Sequence, residues 1–156
     1  MRLHVGQPVP SFQARSDQGE ALGPATLRGH WAVLHFYGKP EEASGPLQDF
    51  EAAQPEFERL GARVIGIGAG TEAEQARWRE RLGLTFALIP DGDGAVARAF
   101  GLGGLGARLM PRARRQQTFL ITPEGQVSHH WGRVEARGHA GAVLETLRLK
   151  VGEARA

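Results

Sequence analysis

Two seven-residue stretches, Trp31-Ala32-Val33-Leu34-His35-Phe36-Tyr37 and Ala62-Arg63-Val64-Ile65-Gly66-Ile67-Gly68, are apolar almost without interruption. A strand with one wet face alternates polar and apolar residues, whereas an unbroken apolar run is expected of a strand covered on both faces. Such strands require helices above and below them, and helix signals do fall between the strand signals. A helix is expected to begin at Pro46, with Ser44 or Gly45 as its cap. Its apolar residues are Leu47, Phe50, Ala53 and Phe57, and Pro55 is expected to kink it. Thr71 and Glu74 have capping-box spacing, Trp78 and Leu82 lie one turn apart, and Gly83 closes that helix.

Farther on, the pattern predicts a strand over Thr85–Ile89 and a short helix from Ala95 to Phe100. A Gly- and Arg-rich stretch from Gly101 to Arg115 follows. Thr118–Ile121, a turn at Thr122-Pro123-Glu124-Gly125, and a return over Gln126 to Trp131 form a hairpin. The last helix starts near Gly138 and places Val143, Leu144 and Leu147 on one face. Two β-α-β crossovers, a hairpin and a closing helix predict an α/β, thioredoxin-like fold: a central mixed β-sheet flanked by α-helices.

A chain of 156 residues with 41% hydrophobic content supports one sizeable core, so residues 1–156 are expected to form one domain. There is no run of about 18 apolar residues to span a membrane, and Met1-Arg2-Leu3-His4-Val5-Gly6 lacks the basic and apolar regions of a signal peptide. The cytoplasm is therefore the expected location. A formal charge of +2 is too small to point to a nucleic-acid partner. The chain has no cysteine, which excludes disulfides, thiolate metal sites and every mechanism that uses its own thiol.

That absence matters because of a resemblance. The segments Val5-Gly6-Gln7-Pro8-Val9-Pro10-Ser11-Phe12, Leu27-Arg28-Gly29-His30 with the first apolar strand, Pro55-Glu56-Phe57-Glu58-Arg59-Leu60-Gly61-Ala62 and Val64-Ile65-Gly66-Ile67 occur in a familiar order. Pro90-Asp91-Gly92-Asp93-Gly94-Ala95-Val96-Ala97, Thr118-Phe119-Leu120-Ile121 and Gly138-His139 continue it. Over nearly its whole length the chain resembles the alkyl hydroperoxide reductase / thiol-specific antioxidant superfamily, and within it peroxiredoxins of the bacterioferritin comigratory protein type. The resemblance implies a thioredoxin-like fold and a peroxidatic cysteine in a Thr-Pro-Gly-Cys motif. That cysteine lies at a helix N-terminus, where the dipole and an arginine favour the thiolate.

Here the motif is altered throughout. Read without gaps, Gly38 replaces the family's proline, Glu42 its threonine and Gly45 its cysteine. A register anchored on Pro40 and Ser44 puts Leu47 at the cysteine position instead. The family's arginine falls on Gln116, with Arg115 adjacent. Glu42, Ser44, Gly45 and Gln116 are thus the expected remains of the active-site pocket, and Glu42 would repel the anion the original site stabilised.

No other residue takes over the chemistry. Ser44 lacks a base and a Gly-x-Ser-x-Gly elbow, and reads as a helix cap. His35, on an apolar strand, reads as a buried, hydrogen-bonded histidine. His129 and His130 point to opposite faces of one strand, which spoils them as a joint metal site, although one of them remains open to pairing with His139 or Glu135. Gly66-Ile67-Gly68-Ala69-Gly70, with Asp91 beyond, imitates a dinucleotide fingerprint, but Thr71 stands where the last glycine is needed and the turn is read as structural. Arg108, Arg112, Arg114 and Arg115 form a basic loop open to an anionic ligand.

The sequence therefore predicts no catalytic residue, metal or cofactor of its own. The leading expectation is a binding or regulatory pseudoenzyme, monomeric or homodimeric, that meets a protein partner or a small anionic ligand. The alternative is an oxidoreductase or antioxidant protein that uses a bound metal or a partner's thiol.

Overall fold

The computed structural model describes residues 3–102 and 116–155, with residues 40–42 described by their backbone alone. The first apolar run is β3 (Trp31–Tyr37) and the second is β4 (Ala62–Gly68). They pair in parallel, with His35 beside Gly66 and Tyr37 beside Gly68. β5 (Ala87–Pro90) extends the parallel side, and β6 (Gln117–Ile121) with β7 (Val127–Trp131) forms the antiparallel side. The sheet order is β5-β4-β3-β6-β7, so β3 is the central strand of five. A small hairpin of β1 (Ala14–Arg15) and β2 (Ala21–Leu22) stands apart. This is the thioredoxin-like, mixed-sheet α/β architecture that the pattern predicts.

The central strand is covered on both sides, as its lack of alternation requires. Val33 and Tyr37 point toward α2 (Pro40–Ala52) and α6 (His139–Arg155), into a core with Leu47, Phe50, Phe57, Val143 and Leu147. Leu34 and Phe36 point the other way, toward Phe12, Leu27, Val96, Phe100 and Phe119. The remaining helices are α1 (Pro24–Leu27), α3 (Gln54–Arg59), α4 (Glu72–Leu82) and α5 (Ala95–Ala99). α4 has both expected ends. The Glu74 amide donates to the Thr71 hydroxyl, the Thr71 amide donates to the Glu74 carboxylate, and Gly83 closes the helix at φ 67°. Among the described residues, no helix is long and apolar enough to cross a membrane.

α2 departs from expectation, and the departure falls on the site. It starts at Pro40 with Lys39 as its N-cap, not at Pro46 with Ser44 or Gly45 as cap. Proline's fixed φ suits the first helical position, and Pro40 occupies it first. Pro46 is therefore interior, where it removes the backbone bond that the Glu42 carbonyl would receive, at a cost of about 3 kcal/mol. Ala43, Leu47 and Phe50, one apolar stripe at helical spacing, are fully buried and offset that cost. Pro55 ends the helix outright: Ala53 is both the C-cap of α2 and the N-cap of α3.

Candidate functional site

The polar centre of the interior is built around His35 from two strands and the start of the last helix. On β3 this side chain shares a face with Val33 and Tyr37, and it is completely buried. Antiparallel pairing sets Thr118 of β6 opposite it. The Nδ1 of His35 lies 2.8 Å from the Thr118 hydroxyl, and its Nε2 lies 3.2 Å from Oε1 of Gln116. The Thr118 oxygen is in turn 2.7 Å from Nε2 of His139, the first residue of α6.

The acceptors fix the order of protons. The amide oxygen of Gln116 only accepts, so His35 carries its proton on Nε2 and leaves Nδ1 bare. The Thr118 hydroxyl donates to that Nδ1, and its oxygen accepts the Nε2–H of His139. Burial pushes His35 down to about 3, with the neighbouring His139 adding to the shift, and pushes His139 down to about 4. Both rings are neutral near pH 7. They sit among aromatic neighbours, with His35 5.1 Å from Phe50 and His139 making edge contacts with Phe50 and Trp131.

Of the expected remains of the pocket, Ser44 and Gly45 lie side by side on α2 and Gln116 directly precedes β6. Gly45 is the sixth residue of α2, beyond the first turn, so it has no place at a helix N-terminus. A side chain begun there would stand 3.3 Å from the carbonyl oxygen of Ala136, in the segment leading to α6. Ser44 is half-buried inside the helix and caps nothing, because Pro40 starts the helix earlier. Leu47, the other register's choice, is fully buried in the core. Gln116 is buried and bound to His35. The side chain of Glu42 and the basic loop with Arg108, Arg112, Arg114 and Arg115 lie outside the described residues.

The other candidates resolve into structure. His129 packs on Trp131 and His130 stacks on Phe119, on opposite faces of β7, as the alternation predicts. Burial, followed by the charge of Lys150, lowers the pKa of His129. His139 is engaged with Thr118, and Glu135 pairs with Arg133 at the surface. Among the described residues no three His, Asp or Glu side chains come together as metal ligands. The glycines of the decoy turn serve the ring of Tyr37. A Cβ on Gly68 would meet that ring at 2.3 Å, and one on Gly66 would meet it at 3.0 Å. Asp91 caps the following helix, accepting from the amides of Val96 and Ala97.

Two linkages escape a sequence reading. Asp17, its side chain 1% exposed, accepts from Arg79, which also donates to the carbonyls of Leu84 and Phe86 at 2.7 and 2.6 Å. Tyr37 donates to Oε1 of Gln75 at 2.6 Å, and burial raises the Tyr37 pKa. Both join residues tens of positions apart. For His35 a signal exists: a histidine in an apolar run needs buried partners, and Thr118 is a polar residue directly before the apolar Phe119-Leu120-Ile121.

Known proteins agree with this geometry. The Peroxiredoxin Bcp of Xanthomonas campestris is 36% identical over 132 residues, covering 79% of this chain and 81% of that protein. The Peroxiredoxin Bcp of Bacillus subtilis is 29% identical over 154 residues, covering 95% and 97%. Among solved structures, the Xanthomonas campestris bacterioferritin comigratory protein superposes with a TM-score of 0.81 at 28% identity, covering 96% and 98% of the two chains. The Mycobacterium tuberculosis peroxidoxin BcpB gives 0.81 at 27% identity, covering 95% and 98%. Residues 5–130 match the AhpC/TSA family. With that match over most of its length and the family's sheet around a cysteine-free centre, the chain belongs to the AhpC/TSA family.

Proposed function

We propose that this protein is a non-catalytic member of its family, a pseudoenzyme that binds or regulates instead of reducing peroxides. The observation that carries this reading is that no residue of the chain is a cysteine. The Xanthomonas campestris relative has been studied for its alkyl peroxide reduction activity. Read without gaps, the position corresponding to the cysteine is an exposed helical glycine whose Cβ would stand 3.3 Å from a carbonyl oxygen, and in the shifted register it is the buried Leu47; neither is a setting for a thiolate. The position corresponding to the arginine is a glutamine turned onto a buried histidine.

The partner in this reading is a protein or a small anion, with cytoplasmic residence. The basic residues Arg108, Arg112, Arg114 and Arg115 are the anion-binding candidates. The test is peroxide consumption by the purified chain with an excess of dithiol, beside a cysteine-containing relative and with the metal content of both preparations measured. No consumption above the buffer rate is expected. Turnover by the chain refutes the pseudoenzyme reading, and turnover tracking a stoichiometric metal supports the metal-dependent alternative.

A further inference from the structure

The hydroxyl of Thr118 is shared by two ring nitrogens, and its hydrogen-bonding capacity limits the charge the group can hold. When both histidines are neutral, every group has a role: His139 donates to Thr118, Thr118 donates to His35, and His35 donates to Gln116. One added proton is tolerated by geometry. A charged His139 keeps its bond to Thr118, and a charged His35 donates from both nitrogens while the hydroxyl turns to His139. Two added protons are not tolerated. Both rings then offer N–H groups to the same oxygen, the hydroxyl hydrogen loses its acceptor, and two cations face each other with ring centres 5.8 Å apart.

Among the described residues, no carboxylate packed against the pair offsets that charge. β6 presents Thr118 and Gln116, α2 presents Phe50, and β7 presents Trp131 with the half-buried His129 beside it, which feels Lys150. On α2, Asp49 is exposed and Glu51 binds Thr85. The carboxylate of Glu135 is exposed and paired with Arg133. His139 also opens α6, where the helix dipole disfavours a positive charge.

We propose that the His35–Thr118–His139 chain is an acid-released latch that holds the first turn of α6, and the 132–138 segment before it, against α2. Release frees the stretch whose Ala136 carbonyl stands 3.3 Å from where a side chain on the exposed Gly45 would begin, so acidification loosens the segment that borders the face of α2 read as the family's active site. The latch follows from the hydrogen-bond geometry and does not depend on whether the chain is a pseudoenzyme. The β3–β4 pairing has its own backbone ladder and stays closed.

The test is amide hydrogen exchange of the unmodified protein at pH 7 and pH 5, expressed as protection factors, with imidazole titration by NMR. With His139 near 4 in the closed state and 6.5 when released, protection at Ala142 and Val143 falls about twentyfold between pH 7 and pH 5 from this group alone. The amides of β3 and β4, which exchange only when the whole chain unfolds, stay better protected than those of α6 at pH 5. Equal protection in the two regions at pH 5, or no loss at α6, overturns the proposal. His139→Gln keeps a donor for Thr118 and cannot charge, so the pH-dependent loss disappears; its persistence overturns the latch. If that variant does not fold, the unmodified protein still decides the matter: ordinary titration of His139 near 6.5 with α6 protected refutes the proposal, and titration below 5 coupled to loss of α6 protection supports it.

Discussion

Gln116 Oε1 and His35 Nε2 face each other across 3.2 Å in the interior, at the point in the chain where the family's arginine is expected. The side chain that would meet a substrate anion is instead committed to a buried ring. Gln116→Leu leaves the Nε2–H of His35 without its acceptor. A buried unsatisfied donor costs about 1–3 kcal/mol, and urea denaturation at pH 7 should show a loss of at least that size. A loss below about 0.5 kcal/mol, within the scatter of surface substitutions, contradicts the pairing.

Stability should fall in mild acid. His35 and His139 sit near 3 and 4 in the folded chain against an ordinary value of 6.5, so below pH 6.5 the unfolded chain binds more protons. Their contribution is complete above pH 6.5 and is lost as the pH drops toward 4. Each histidine adds a slope approaching about 1.4 kcal/mol per pH unit, so the pair approaches about 2.7. Denaturation between pH 7 and 5, where most carboxylates stay ionised, measures this directly, and His35→Phe should remove about half the slope.

Gly45→Cys should not restore peroxidase chemistry. The new Cβ would lie 3.3 Å from the Ala136 carbonyl oxygen and sit beyond the first turn of α2, so the helix dipole does not favour the thiolate. Its oxidation by hydrogen peroxide, followed by stopped flow, is expected at the rate of free cysteine. Oxidation faster by a hundredfold or more, about 2.7 kcal/mol in the barrier, shows that a reactive pocket survives.

Gly68→Ala probes the other end of the same strands. An added methyl would stand 2.3 Å and 2.6 Å from carbons of the Tyr37 ring and 2.7 Å from Nε2 of Gln75, both of which are buried. Overpacking of that kind costs about 1–3 kcal/mol, and thermal melting should show a clear loss. Gly141→Ala is the control, since nothing lies within 4 Å of the added carbon. There the melting temperature should hold or rise, because alanine is the better helix former.

The local grammar was legible in the residues. Unbroken apolar runs named β3 and β4, Thr71 with Glu74 and Gly83 bounded α4, and the Thr122–Gly125 turn set the hairpin, because each signal acts over a few residues. The loss of thiol chemistry was also legible, since composition alone decides it. The start of α2 was not, because Pro40 and Pro46 are both acceptable first residues, and burial of Ala43, Leu47 and Phe50 in the assembled core selects between them. The tertiary structure alone decided the fate of Gln116 and Thr118. Their partners lie 81 and 83 residues away, and only the antiparallel register of β3 on β6 brings one ring between them. Sequence fixes what a short segment prefers; long-range pairing decides which polar atoms share the same dry space, and there a hydrogen bond left unmade is most costly.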